Sequence, residues 1–278
     1  MTTAAAAHEG APVDVDGPIA WRELGSGPDT VVFLHGLGLT RTSWDQQLRA
    51  LADRFRCVAW DMPGYGASDP AVPLTFERIA DAVVELLDQL GATTAHLVGL
   101  SFGGMHALHT ALRHPHRVER LVLLDTSSVF GLDGTDPDSW RRRRLEPLDR
   151  GLTPADIARD VLTSVGGPAV EGATLDRLAG SMARISPDGL RAAVECLPSH
   201  DVTNRLHEIS APTLVVVGEL DRETPIRYSE ALAAAIPDAR LEILPRVGHL
   251  TPAEAPEEVN RLVRSHLESC PDPTGENR

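Results

Sequence analysis

Six short apolar runs recur along the chain: Thr30 to Leu34, Cys57 to Trp60, Ala95 to Leu100, Arg120 to Asp125, Thr213 to Gly218 and Arg240 to Leu244. A strand with one wet face would alternate polar and apolar residues. Most of these runs are apolar through their centres, which suits a parallel sheet covered on both faces. Longer amphipathic stretches separate them. Phe76 to Leu90 places Ile79, Val83, Leu86, Leu87 and Leu90 at helical spacing and stops at Gly91, and Met105 to Arg113 gives a second helix halted near Pro115. Strand and helix in repetition predict a doubly wound α/β sheet, and 278 residues suffice for one large domain carrying an insertion.

The alternation breaks once. From Val129 to about His207 there is no convincing strand, and Pro137, Pro147, Pro154, Pro168, Pro187 and Pro198 divide the stretch into short helical pieces such as Pro154 to Val165 and Thr174 to Ile185. This predicts a helical cap, residues 129–205, inserted between core segments 15–128 and 206–269. A lid over the C-terminal edge of the sheet excludes water and shapes a pocket where open α/β sheets bind ligands. Residues 1–14 and the polar tail 270–278 are expected to be disordered.

Chemistry is concentrated where strands end. Gly99-Leu100-Ser101-Phe102-Gly103 lies between an apolar run and a helical stretch, so Ser101 is a candidate nucleophile on a sharp strand-to-helix turn. A serine hydroxyl also needs a base, an acid to orient that base, and donors for the developing oxyanion. Asp221 falls just past the strand Thr213 to Gly218, and His249, preceded by Gly248, follows the strand Leu241 to Leu244. Serine, acid and histidine thus appear in the chain order such a sheet requires. Asp125, at the end of another strand, is the competing acid, with Asp221 favoured. The backbone N–H of Phe102 and that of Leu37, after the strand end at His35-Gly36, are the candidate oxyanion donors, while His35 reads as an architectural group bonding backbone. Of the other histidines, His116, His200, His207 and His266 are expected to be exposed.

With these residues assembled, the chain resembles the α/β-hydrolase superfamily from about Val15 to Ser269. The resemblance rests on His35-Gly36-Leu37-Gly38, on Asp61-Met62-Pro63-Gly64-Tyr65-Gly66-Ala67-Ser68, on Gly99 to Gly104, on Gly218-Glu219-Leu220-Asp221 and on Gly248-His249. Cap-bearing small hydrolases are most similar, the 3-oxoadipate enol-lactonase and carboxylesterase group among them, through the Gly-Leu-Ser elbow and the segment Ile185 to Val194. Tyr65 departs from the histidine that many relatives carry there. The resemblance implies cofactor-free cleavage of a small ester or lactone by Ser101 in a pocket within the cap; Trp140, Met182, Ile185 and Leu197 read first as cap core and, alternatively, as the lining of an apolar acyl pocket. Carbon–carbon hydrolysis or perhydrolysis by the same triad, and a small-molecule receptor on the same fold, are the alternatives.

Composition limits the partners. A formal net charge of -14 argues against nucleic acid and anionic membranes. The one dense basic run, Arg141 to Arg144, reads as a solvated helix face, with an arginine meeting a substrate carboxylate as the alternative. Cys57, Cys196 and Cys270 are odd in number and widely spaced, which fits a reduced cytoplasm and implies neither disulfide nor metal.

Overall fold

The computed structural model describes residues 10–269. The segments 1–9 and 270–278, with Cys270 and most of the expected disorder, lie outside it. Eight strands form one sheet in the order β1-β2-β4-β3-β5-β6-β7-β8. They are β1 (Val13–Val15), β2 (Trp21–Leu24), β3 (Thr30–Leu34), β4 (Arg56–Trp60), β5 (Ala95–Leu100), β6 (Val118–Leu124), β7 (Thr213–Gly218) and β8 (Ala239–Leu244). The helices are α1 (Asp45–Leu51), α2 (Phe76–Leu90), α3 (Phe102–Arg113), α4 (Pro137–Asp149), α5 (Pro154–Val165), α6 (Gly172–Met182), α7 (Pro187–Cys196), α8 (Ile226–Ala235), α9 (Thr251–Glu254) and α10 (Pro256–Glu268). No described helix is long and apolar enough to cross a membrane.

Every residue of β3, β5 and β7 is buried, as their unbroken apolar runs require. From β3 through β8 neighbouring strands run parallel, so their C-terminal ends share one edge. Two differences from the sequence reading have plain causes. The strand ending at Leu244 is an edge strand paired only with β7, so Ile243 stays 44% exposed. Val13 and Asp14, expected to be disordered, belong to β1, which pairs antiparallel with β2 and is pinned by Asp14 bonding Arg22. Strands of three and four residues with half-exposed faces carry too little periodicity to read.

Between β6 and β7 the chain forms α4 to α7, and an antiparallel bridge between Val129 and Asp201 closes the stem of this excursion. Local chemistry starts its helices. Asp136, Thr153 and Ser186 accept from the N–H groups of Ser139, Asp156 and Gly189, and the Asp156 carboxylate returns a bond to complete a capping box. The Ser181 hydroxyl accepts from the Thr40 N–H at 2.9 Å, which holds α6 against the loop after β3. Helix α6 stops at Met182, before the Ile185 expected from the sequence, and the next turn drops Ile185 into the core at 4% exposure.

Candidate active site

Ser101 links β5 to α3 with φ 53° and ψ -115°, a strained conformation for a residue with a Cβ. The strain persists because its surroundings fit nothing larger. A Cβ on Gly103 would sit 2.0 Å from the Leu34 carbonyl oxygen, so α3 starts against the end of β3 only because this residue is glycine. The Ser101 backbone is held on both sides: its N–H donates to Leu124 O at 2.8 Å, and the Thr126 hydroxyl donates to its carbonyl at 2.7 Å. The hydroxyl is therefore presented from a fixed backbone.

Ser101 Oγ lies 2.9 Å from His249 Nε2, and His249 Nδ1 lies 2.8 Å from Asp221 Oδ2. Asp221 accepts from the N–H groups of Glu223 and Thr224 at Oδ1 and from the Thr224 hydroxyl at Oδ2, which aims its carboxylate at the imidazole. These bonds imply an Nδ1–H tautomer with Nε2 free to accept from serine. Burial alone would lower the His249 pKa, but Asp221 and then Asp125 outweigh it and raise it to about 9. Burial would raise Asp221, yet the imidazolium beside it keeps its carboxyl below the usual range.

The loop after β3 reaches the same spot. A Cβ on Gly36 would be 3.5 Å from Ser101 Cβ, and Leu37 shares a cavity wall with Ser101 and His249. His35 fixes that loop: its Nδ1–H donates to Gly36 O at 3.0 Å, and its Nε2 accepts from the Met62 N–H at 3.1 Å. Its buried ring stacks on Tyr65, and burial pushes its pKa down. The Leu37 N–H has no acceptor among the described residues, and the Phe102 N–H opens α3, where helix geometry provides none.

Asp125, the rival acid, does not bond His249. Its Oδ1 accepts from the Gly218 N–H at 3.0 Å, and its Oδ2 accepts from the Thr251 N–H at 3.0 Å and hydroxyl at 2.7 Å. It joins the loop that carries Asp221 to the loop that carries His249. Burial, with Asp221 nearby, pushes its carboxyl well above the usual range. Glu254 does similar work, accepting from the N–H groups of Gly167 and Gly248 at Oε2 and of Leu250 at Oε1. Gly248 is needed for that contact: a Cβ there would meet the Gly167 nitrogen at 2.3 Å. No local motif marks Glu254 or Thr224, because their partners are set by long-range packing.

A cavity of about 270 Å³ opens above Ser101 and His249. Trp140, Met182 and Leu197 line it; Ile185 does not and is buried in the core, which corrects its place among the candidate substrate-binding residues. Sequence reading missed the apolar lining from Ile157, Val161, Leu162 and Val165 on α5 and from Leu190 and Val194 on α7. The i, i+4, i+8 spacing on α5 was the available signal. Two histidines expected at the surface, His200 and His266, are buried at 1% and 6% exposure.

This elbow, set into a mostly parallel sheet beneath inserted helices, defines an α/β hydrolase, and the chain belongs to that family: the family model for the alpha/beta hydrolase fold matches residues 29–256. Among curated relatives it is 36% identical to the pimeloyl-[acyl-carrier protein] methyl ester esterase of Chromobacterium violaceum, over 88% of this chain and 96% of that one. It is 32% identical to 2-hydroxy-6-oxononadienedioate/2-hydroxy-6-oxononatrienedioate hydrolase 2 of Pseudomonas putida, over 92% and 93% of the two chains. Among solved structures, the enol-lactonase of Burkholderia xenovorans is similar with a TM-score of 0.82 and 25% identity, over 90% and 96% of the two chains.

Proposed function

We propose that this hydrolase cleaves a small carboxylic ester or lactone through an acyl-enzyme on Ser101, without a cofactor. The observation that carries the reading is the continuous chain from Asp221 through His249 to Ser101, with heavy-atom separations of 2.8 and 2.9 Å, beneath an apolar cavity. His249 Nε2 takes the serine proton as Oγ attacks the carbonyl. Asp221 holds the ring and stabilises the imidazolium. The N–H groups of Leu37 and Phe102 receive the oxyanion, and loss of one such donor typically costs about 2.7–4 kcal/mol in the transition state. Collapse releases the alcohol, protonated by His249, and water then frees the acid by the same steps reversed. The esterase and enol-lactonase names of relatives support this bond type.

A second reading has one specific support. An oxononadienedioate has no ester to cut, so the relative named for it breaks a carbon–carbon bond. The test covers both: wild type and Ser101→Ala are assayed on short nitrophenyl esters, simple lactones, an enol-lactone and a hydroxy-oxo-dienoate. Ester or lactone turnover that vanishes in Ser101→Ala is expected. Cleavage of the dienoate alone would replace this reading with carbon–carbon hydrolysis, and tight binding without turnover would point to a receptor.

A further inference from the structure

An oxyanion donor is aimed by the far end of its own peptide group. A peptide is planar and trans, so its N–H and the carbonyl of the preceding residue point in opposite directions. The Ser101–Phe102 bond is trans, Val72–Pro73 being the one cis bond among the described residues. Whatever fixes the Ser101 carbonyl therefore also fixes the Phe102 N–H. Local preference does not do so, because φ 53° and ψ -115° lie outside the basins that a residue with a Cβ favours. Hydrogen bonds must do it. The first turn of α3 gives the carbonyl two, from the Gly104 N–H at 2.9 Å and the Met105 N–H at 3.2 Å, but these donors belong to the helix that begins at Phe102 and move with it. The third and shortest comes from outside that helix, where the Thr126 hydroxyl donates at 2.7 Å.

Thr126 is completely buried just past the end of β6. Asp125 before it takes φ 48° and is pinned by its own N–H to Val216 O at 2.9 Å, besides the carboxylate bonds that join the two triad loops. Gly104 makes room for the threonine: a Cβ there would lie 2.6 Å from Thr126 Cγ2 and 2.7 Å from its Oγ1. That contact explains a glycine for which the elbow itself has no use. The other oxyanion donor is held in the same way. Gly36 O, on the peptide that carries the Leu37 N–H, accepts from His35 Nδ1–H at 3.0 Å and from the Leu39 N–H at 3.2 Å. We infer that Thr126 is a positioning residue for the oxyanion site: by tying the Ser101 carbonyl to the end of β6, it holds the Phe102 N–H on the developing negative charge. The inference rests on the acyl-transfer reading above for that charge, though not for the anchoring.

Thr126→Val puts a methyl where the hydroxyl was, and a carbon cannot approach that oxygen as closely. Thr126→Ala leaves the space open instead. Both lose the bond, while the Ser101 carbonyl keeps its two helical donors and is not left buried without a partner. On a nitrophenyl ester each should lower kcat about three- to tenfold with KM unchanged, the worth of one hydrogen bond felt only in the transition state. A trifluoromethyl ketone, whose adduct on Ser101 carries the oxyanion, should bind more weakly by the same factor. Thr126→Ser keeps the hydroxyl and should restore both. The contact also has a readout apart from turnover. Phe102 is the only one of five phenylalanines that follows a serine, so carbon-13 in serine carbonyls and nitrogen-15 in phenylalanine leave a single carbonyl–amide NMR correlation, that of Ser101–Phe102. It should move in Thr126→Val and Thr126→Ala and return in Thr126→Ser. A correlation that stays in place, a kcat loss in Thr126→Val alone, no recovery in Thr126→Ser, or a lowered Tm with kcat unchanged overturns the inference. A moving correlation in a wild type that cleaves no ester keeps the anchoring and sinks acyl transfer; ester turnover with a stationary correlation does the reverse.

Discussion

Asp125→Asn tests whether the carboxylate behind the triad is a brace or an acid. Three donors converge on Asp125: Gly218 N–H on one oxygen, and Thr251 N–H and hydroxyl on the other. An amide has one acceptor oxygen. If that oxygen faces Thr251, the new NH2 group confronts the Gly218 N–H; if it is flipped, the Thr251 N–H loses its acceptor. Either way one buried backbone N–H goes unpaired, at about 1–3 kcal/mol, offset in part because a neutral amide is cheaper to bury than a carboxylate. For a chain of this size that corresponds to a Tm lowered by roughly 2–12 °C at most. Activity should fall about ten- to hundredfold in kcat with little change in KM, because the displaced loops carry Asp221 and His249 and small misplacements are expensive. Removing the acid proposed to orient His249, as in Asp221→Asn, should cost about ten-thousandfold with the fold retained. Calorimetry and steady-state hydrolysis of a nitrophenyl ester read both quantities. An Asp125→Asn loss as deep as that of Asp221→Asn would make Asp125 an acid, and an unchanged Tm and kcat would show that it braces nothing.

Two further outcomes follow from charge and burial. Only the neutral imidazole accepts the serine proton, and Asp221 and Asp125 raise the His249 pKa to about 9, so kcat/KM should climb with pH between 7 and 9; a limb already flat above about 6.5 contradicts the electrostatics. Burial lowers His200 to about 3 and His109 and His266 to about 4, so folding holds these rings neutral while the unfolded chain protonates near 6.5. Their contribution to stability is complete above that pH and is lost as pH falls toward 4, so the urea midpoint should drop steeply from pH 6.5 to 4.5, and less steeply in His200→Gln; a level midpoint across that window would refute it.

How much was legible in the sequence depended on the range over which each feature is decided. Ser101 and the strands β3, β5 and β7 are read locally, because an apolar run and its flanking glycines hold the information within ten residues. His200 is the opposite case. Its polar surroundings in sequence suggest a surface, but it packs against Phe76 and hydrogen-bonds His109, both distant in the chain. Ile185 was misplaced because a helix end shifted by one turn changes which side chain reaches the cavity. The Arg141 to Arg144 run could not be read as one face at all. At about 100° per residue four consecutive side chains fan around most of a helix, and the structure sends them to Glu195, Ser139, the cavity and Glu223 in turn.

The same contrast bears on how reaction and substrate are divided within the fold. Ser101, Asp221, His249 and the loop of Leu37 all follow parallel strands of one sheet; Asp125 ties the loop of Asp221 to that of His249, Glu254 ties the loop of His249 to Gly167, and His35 ties the loop of Leu37 to Met62. A change at one of these joints would displace several of these parts together. The inserted helices contribute apolar length from α5 and α7 and charge from α4, through side chains that touch neither Ser101 nor His249 by any hydrogen bond. The apolar side chains of α5 and α7 make no bond to the triad and can change singly. Relatives sharing the fold but named for a methyl ester and an oxononadienedioate fit that division. It follows that Val161→Ala on α5 should change which acyl length is preferred while Ser101→Ala abolishes cleavage of every ester alike; a Val161→Ala variant that abolished cleavage of all esters would show that cap and triad are one unit.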